Sequence, residues 1–304
     1  MDEEELKSYI RAGEIAARVR DYAERIAKPG MKILDLAETV ERKIVELGGK
    51  PAFPCNISIN HEAAHRTPII GDELIIPEDS VVKIDIGVHV NGYIADTAVT
   101  VSFNPRYEAL LNAVREALER ALKVVSAGVR FSEVGRTVEN TLKSYGYKPI
   151  KNLSGHSLDR YIIHAGESIP NYHELISLSR FKSNRAYAIE PFGTDGRGFV
   201  VESDTITIYA LWKTGKVKGL TLDEKRVFMN IRERFKTLPF TERWLTDVFN
   251  GDVERLRKSL NRLLEKKIIY GYPILVEAGG GMVAQFEHTV LVLDREVIVT
   301  TKLK

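Results

Sequence analysis

The chain has 304 residues, 44% of them hydrophobic and 28% charged, ordinary values for a globular protein and enough length to bury a core without disulfides. Lys and Arg number 44 against 42 Asp and Glu, a formal net charge of +2, which excludes a field strong enough to make nucleic acid or an anionic membrane the main partner. A lone cysteine, Cys55, fits a reducing compartment. The acidic start Met1-Asp2-Glu3-Glu4-Glu5 has no signal-peptide pattern, and no apolar run reaches membrane-spanning length, so a cytoplasmic protein is expected.

In chain order, residues 3–27 read as an amphipathic helix with Leu6, Ile10, Val19, Tyr22 and Ile26 on its apolar stripe, stopped by Pro29-Gly30. A second helix is expected over 34–47, ended by Gly48-Gly49. Residues 81–88 and 92–103 read as strands around a turn centred on Gly92. Helices follow at about 105–126 and 131–145, broken by Gly128 and Gly146. Further strands are expected at 186–192, 204–211, 274–277, 283–292 and 296–301. Between about 205 and 272 the texture turns helical and charged: Thr221 and Glu224 have capping-box spacing for a helix to Phe235, Pro239 breaks it, and short helices follow at 241–249 and 252–266. The reading is a catalytic domain over 1–204 and 273–304 with a helical insert subdomain over 205–272.

Several polar residues interrupt otherwise apolar segments. Asp fits a strand poorly, yet Asp85 and Asp96 fall in neighbouring strands whose turn can bring them to one spot. His156 follows Ser154-Gly155, and His164 comes eight residues later in Ile163-His164-Ala165-Gly166. Glu190 closes an apolar run before Pro191, and Glu287 interrupts another. By period-two alternation Glu287 shares a face with Gln285 and Thr289, while His288 points away into the core or a supporting position. Taken singly, each has a bland explanation as a turn cap, an edge charge or a satisfied core histidine. Together they are four carboxylates and an imidazole in segments expected to be buried, and unpaired burial of so much charge costs several kcal/mol per ion. Divalent cations resolve that cost, and a donor set of mostly oxygen with one nitrogen suits hard or borderline ions.

The ordered set Asp85, Asp96, His156, Glu190, Glu287 resembles the metal-ligand signature of the methionine aminopeptidases. The flanking strings carry the resemblance too: Lys83-Ile-Asp-Ile-Gly87, Gly92-Tyr-Ile-Ala-Asp96, Asn152-Leu-Ser-Gly-His156, Ile163-His-Ala-Gly166 and Gln285-Phe-Glu-His-Thr289. The resemblance implies an α+β protein of the pita-bread fold, in which an antiparallel sheet is covered by helices. It implies two divalent metal ions (Co, Mn, Fe, Zn or Ni), with Asp85 on one, His156 and Glu190 on the other, and Asp96 and Glu287 bridging. It makes His65, His164 and Glu190 catalytic. His65, in Ala63-Ala64-His65, is preferred to His61. Phe53, Ile163, Phe192 and Tyr272 become the lining of a methionine side-chain pocket. The substrates would be nascent polypeptides beginning with Met, with a small second residue preferred, met near the ribosome by a monomer that binds neither nucleic acid nor membrane.

The long gap from Glu190 to Glu287 is similar to the insert of the type II, archaeal-like branch, and the insert resembles a winged helix, read here as a wall of the substrate cleft. Two alternatives stay open. An X-Pro dipeptidase or aminopeptidase P shares the fold and ligands but usually carries an N-terminal domain, for which the 84 residues before Asp85 are too few. A silent relative that binds ribosomes or nucleic acid would have lost ligands that are present here.

Overall fold

The computed structural model describes residues 1–176 and 178–303. Asp2 opens the first helix, Glu3–Ile26, by accepting from the Glu5 N–H while the Glu5 carboxylate accepts from the Asp2 N–H. This reciprocal cap satisfies donors that the helix end leaves free. The helix lays fully buried Ala12, Ala16, Val19 and Ala23 against a long hairpin, and these short side chains let it approach closely. The hairpin strands, Val81–Val90 and Tyr93–Ser102, join through Asn91 and Gly92, with φ of 54° and 91°. Such two-residue turns need positive φ at both positions, which Asn-Gly supplies.

Lys50–Pro51 and Asn56–Ile59 pair along the other edge of Val81–Val90. A five-stranded sheet runs in the order Val297–Val299, His288–Val292, Arg185–Ile189, Ser154–Leu158, Ser168–Pro170, and a three-stranded one in the order Val283–Gln285, Phe192–Thr194, Lys148–Pro149. Helices Glu108–Val124 and Phe131–Ser144 pack on each other and cover these strands. A 3-10 turn over Pro105–Tyr107, capped by the Asn104 side chain, delays the first of them to Glu108.

The strands expected over 186–192 and 283–292 are each two strands. One breaks at Glu190-Pro191, where proline has no N–H for a ladder, and the other at Phe286-Glu287, where the Glu287 N–H leaves the ladder for the Ala98 carbonyl at 3.2 Å. Cross-strand pairs Phe192–Gln285 and Ile189–His288 place the breaks opposite each other. The two strand runs therefore pass together from one sheet to the other, and each carries a glutamate at the passage.

The strands on either side of the segment read as a helical insert are longer than expected. Val200–Leu211 and Ile269–Glu277 pair with each other, and Glu62–Ala64 joins the latter, so positions 205 and 272 both lie inside paired strands. Between them stand helices Leu222–Arg234, opened by the Thr221–Glu224 capping box, and Val253–Glu265. Residues Glu242–Phe249, expected as a short α-helix, are 3-10. Val227, Ile231, Phe240, Leu245, Leu256 and Leu263 form a separate apolar cluster here.

Candidate metal centre

Across the hairpin, Asp85 pairs with Ala98 and Asp96 with Gly87. The two carboxylates are thus diagonal neighbours on one face of the sheet. Gly87 is required there: a Cβ would lie 2.3 Å from the Phe53 ring, which packs over it. His156 enters from Ser154–Leu158, and Glu190 and Glu287 enter from the two strand breaks. All five reach one cavity of about 360 Å³. His156 Nε2 stands 3.6 Å from Asp96 Oδ2 and 3.4 Å from Glu190 Oε1. Asp96, His156 and Glu287 offer ligand atoms within 4.8 Å of one another.

The electrostatics of this cluster are one-sided. Among the described residues, no Lys or Arg lines the cavity. Burial pushes the Asp85 carboxyl up to about 7, while hydrogen bonds from Gln285 and the Ile86 backbone hold it down. Burial first, and then the charge of neighbouring carboxylates, raises Asp96, Glu190 and Glu287 well above the carboxylate range. Burial drives the His156 imidazole well below its ordinary value, so it is neutral. Asp85 Oδ1, Asp96 Oδ1, Glu287 Oε1 and His156 Nδ1 are buried with no hydrogen-bond partner. Buried polar atoms are rarely left so. A cluster of acidic donors around one neutral imidazole, with orphaned oxygens and no Lys or Arg lining the cavity among the described residues, fits divalent metal.

His65, His164, Phe53, Ile163, Phe192 and Tyr272 line the same cavity, whereas His61 is exposed outside it. His65 has φ of 69°, and its Nδ1 lies 3.1 Å from the Pro273 carbonyl. A carbonyl only accepts, so Nδ1 carries the proton and Nε2 is left as an acceptor. Burial lowers this imidazole to about 4 and also lowers His164. The His156 and His164 rings meet edge-on at 4.5 Å, and His65 meets Tyr272 at 5.2 Å. His288 lies away from the cavity, its Nδ1 2.8 Å from Thr301 Oγ1 and 3.2 Å from Arg20. Cys55 is fully buried and does not line the cavity.

Two further participants hold the cavity's carboxylates: Gln285, placed on the Glu287 face by alternation but given no role, and Asn56. Gln285 Nε2 reaches Glu190 Oε2 at 3.3 Å and Glu287 Oε2 at 3.5 Å. Its position two residues before Glu287 was the available signal. Asn56 pairs across the strand with Asp85 and hydrogen-bonds its carboxyl. It sits in a stretch with no clear strand pattern, and nothing local pointed to it.

The family model described as metallopeptidase family M24 matches residues 7–294. A methionine aminopeptidase of Saccharolobus solfataricus is 48% identical over 302 residues, spanning 99% of each chain. Among solved structures, a methionine aminopeptidase from Thermotoga maritima aligns with a TM-score of 0.72 at 22% identity, over 100% of this chain and 98% of that one. A prolidase from Pyrococcus furiosus aligns with a TM-score of 0.63 at 19% identity, and this chain covers 65% of it. The architecture is the pita-bread fold that the resemblance implied. The chain belongs to metallopeptidase family M24, in the branch of the archaeal methionine aminopeptidases.

Proposed function

We propose that this chain is a type II methionine aminopeptidase that hydrolyses the first peptide bond of polypeptides beginning with methionine. The observation that carries the reading is a single cavity in which an acid-rich metal site adjoins the apolar surfaces of Phe53, Ile163 and Phe192. Two divalent ions would be held by Asp85, Asp96, His156, Glu190 and Glu287. When bound, they supply Lewis acidity and a nucleophile at neutral pH.

The chain's own residues do the rest. An unbranched thioether suits the apolar wall, which includes Tyr272. The free Nε2 of His65 accepts from the N–H of the scissile bond and so orients it. His164, neutral at pH 7, donates to the carbonyl oxygen as charge develops there. Glu190, held by Gln285, carries the proton to the leaving amine. The 205–272 segment acts as an insert subdomain walling the cleft, contributing Ile208, Pro239 and Tyr272. No described helix is long and apolar enough to cross a membrane.

The deciding experiment is hydrolysis of Met-Ala-Ser and of Gly-Pro after chelation and re-addition of single metals. Cleavage of the first peptide alone, restored by a divalent ion, is expected. Cleavage of Gly-Pro alone would transfer the site to the X-Pro dipeptidases. Glu190→Gln should lower kcat by about 10²–10⁴-fold with metal still bound, and substantial residual turnover would remove the proton-carrying role.

A further inference from the structure

Three consecutive residues of the 3-10 segment, Glu242, Arg243 and Trp244, reach out of the insert and grip the body. Glu41, on helix Ile33–Glu46, faces Arg243, their side chains only 9% and 4% exposed. The guanidinium donates in a fork to the carboxylate, Nη1 to Oε2 at 2.9 Å and Nη2 to Oε1 at 2.7 Å. It also donates to the Pro68 carbonyl at 2.8 Å and to the Thr67 hydroxyl at 3.3 Å. Trp244 Nε1 donates to Glu41 at 2.9 Å, and the Ile70 N–H donates to Glu242 at 3.0 Å.

The grip ends at the cavity. Glu41 Oε1 accepts from the Cys55 N–H at 3.1 Å, and the Thr67 hydroxyl donates to the Cys55 carbonyl at 2.8 Å. Both peptide groups of Cys55 are therefore tied to the network. Cys55 stands between Phe53, on the apolar wall, and Asn56, which supports Asp85. Thr67 stands two residues after His65, whose left-handed backbone persists only where its surroundings over-determine it. A buried ion pair is a poor device for stability alone, since an apolar pair of similar size often serves as well or better. What an apolar pair cannot do is hold the Cys55 N–H, the Pro68 carbonyl and the Thr67 hydroxyl, on two separate loops, in one arrangement.

We propose that Glu242-Arg243-Trp244 is a clamp through which the insert sets the position of His65 and of the Phe53–Asn56 wall, with Arg243 its positioning residue. The proposal rests on reading the cavity as an aminopeptidase site.

The test is the double substitution Glu41→Leu with Arg243→Met, which removes the hydrogen bonds without stranding a charge. The unfolding midpoint should stay near that of the wild type. The ratio kcat/KM for Met-Ala-Ser should fall by about 10- to 100-fold, the size expected when reacting groups are displaced by about an ångström. Exchange of the Ile57 amide, bonded to the Arg66 carbonyl at 2.7 Å rather than to either mutated residue, should quicken. Arg243→Lys, which keeps a charge but loses the fork, should recover part of the rate. Wild-type kcat/KM and Ile57 exchange in a stable double variant would overturn the clamp. If the double variant does not fold, Arg243→Lys decides: a lowered kcat/KM in folded protein supports the clamp, and wild-type kinetics overturn it. If the unaltered chain cleaves no Met-peptide, the aminopeptidase reading fails by itself, and Ile57 exchange then tests the clamp alone.

Discussion

Two of the buried charge clusters among the described residues are neutralised by opposite means. At the Glu41–Arg243 contact each charge has a forked partner, and the guanidinium also donates to a carbonyl and a hydroxyl oxygen. At the metal centre four carboxylates share one neutral imidazole, and three of their oxygens have no partner. The first cluster is complete within the chain. The second is complete only with cations from outside, and until they bind the carboxyls must take up protons. Self-sufficient burial marks a joint, and burial left short of countercharge marks a site.

The largest effect should come from removing one charge at the incomplete cluster. Asp96→Asn should abolish metal binding and turnover. Loss of partners that merely support ligands already costs about 10–100-fold, and loss of a direct ligand, the role proposed for Asp96, should cost more. The same change should leave the metal-free protein more stable than metal-free wild type at pH 7, because a buried acid no longer has to be protonated. Calorimetry with chelator checks this, and a destabilised Asp96→Asn apoprotein would erase the contrast. At the complete cluster the sign reverses: Arg243→Met alone leaves Glu41 buried and unpaired and should cost about 3–5 kcal/mol in a denaturant titration. A cost below about 1 kcal/mol would mean that water, or the Trp244 and Cys55 N–H groups that Glu41 keeps, suffices for its charge.

The pH response of the metal-free protein should separate the two clusters next. An acid whose folded pKa is raised binds more protons folded than unfolded, so its stabilising contribution is full at low pH and is lost as pH rises. For Asp85 the window runs from the ordinary value of 3.8 up to about 7, and Asp96, Glu190 and Glu287 shift in the same direction. Melting temperature in chelator should therefore fall between about pH 4 and pH 7. A saturating divalent ion should abolish that fall, because bound carboxylates are ionised throughout. A flat profile in chelator would mean that these acids are solvated in the metal-free state.

The candidate site is legible in the sequence because four of the five proposed ligands break a local rule that the fold then explains. Asp85 and Asp96 sit where strands avoid Asp, and the Asn91-Gly92 turn brings them together. Glu190 and Glu287 interrupt apolar runs at the points where the two strands leave one sheet for another, which is also why those runs were read as unbroken strands. The small strands Asn56–Ile59, Glu62–Ala64 and Ser154–Leu158 were not anticipated, since each is held by cross-strand partners far away rather than by its own periodicity. The Glu41–Arg243 pair left no trace for the same reason: 202 residues separate its members, and each reads locally as an ordinary surface charge on an amphipathic segment.

The smallest effect belongs to a neutral pair between these extremes. The Tyr270 and Tyr272 hydroxyls meet at 2.6 Å beside the cavity, and burial raises the Tyr272 phenol far out of the physiological range, so no charge is at stake. Tyr270→Phe removes one hydrogen bond of a group that carries both a donor and an acceptor. That should cost about 0.5–1.5 kcal/mol and leave metal binding untouched. Because the Tyr272 ring is also fixed by an edge contact with His65 at 5.2 Å and a tilted contact with Tyr270 at 5.0 Å, KM for a Met-peptide should rise no more than a few-fold. A loss approaching that of Arg243→Met would show that Tyr272 is held by its hydroxyl rather than its ring, and would place the tyrosine pair with the joints.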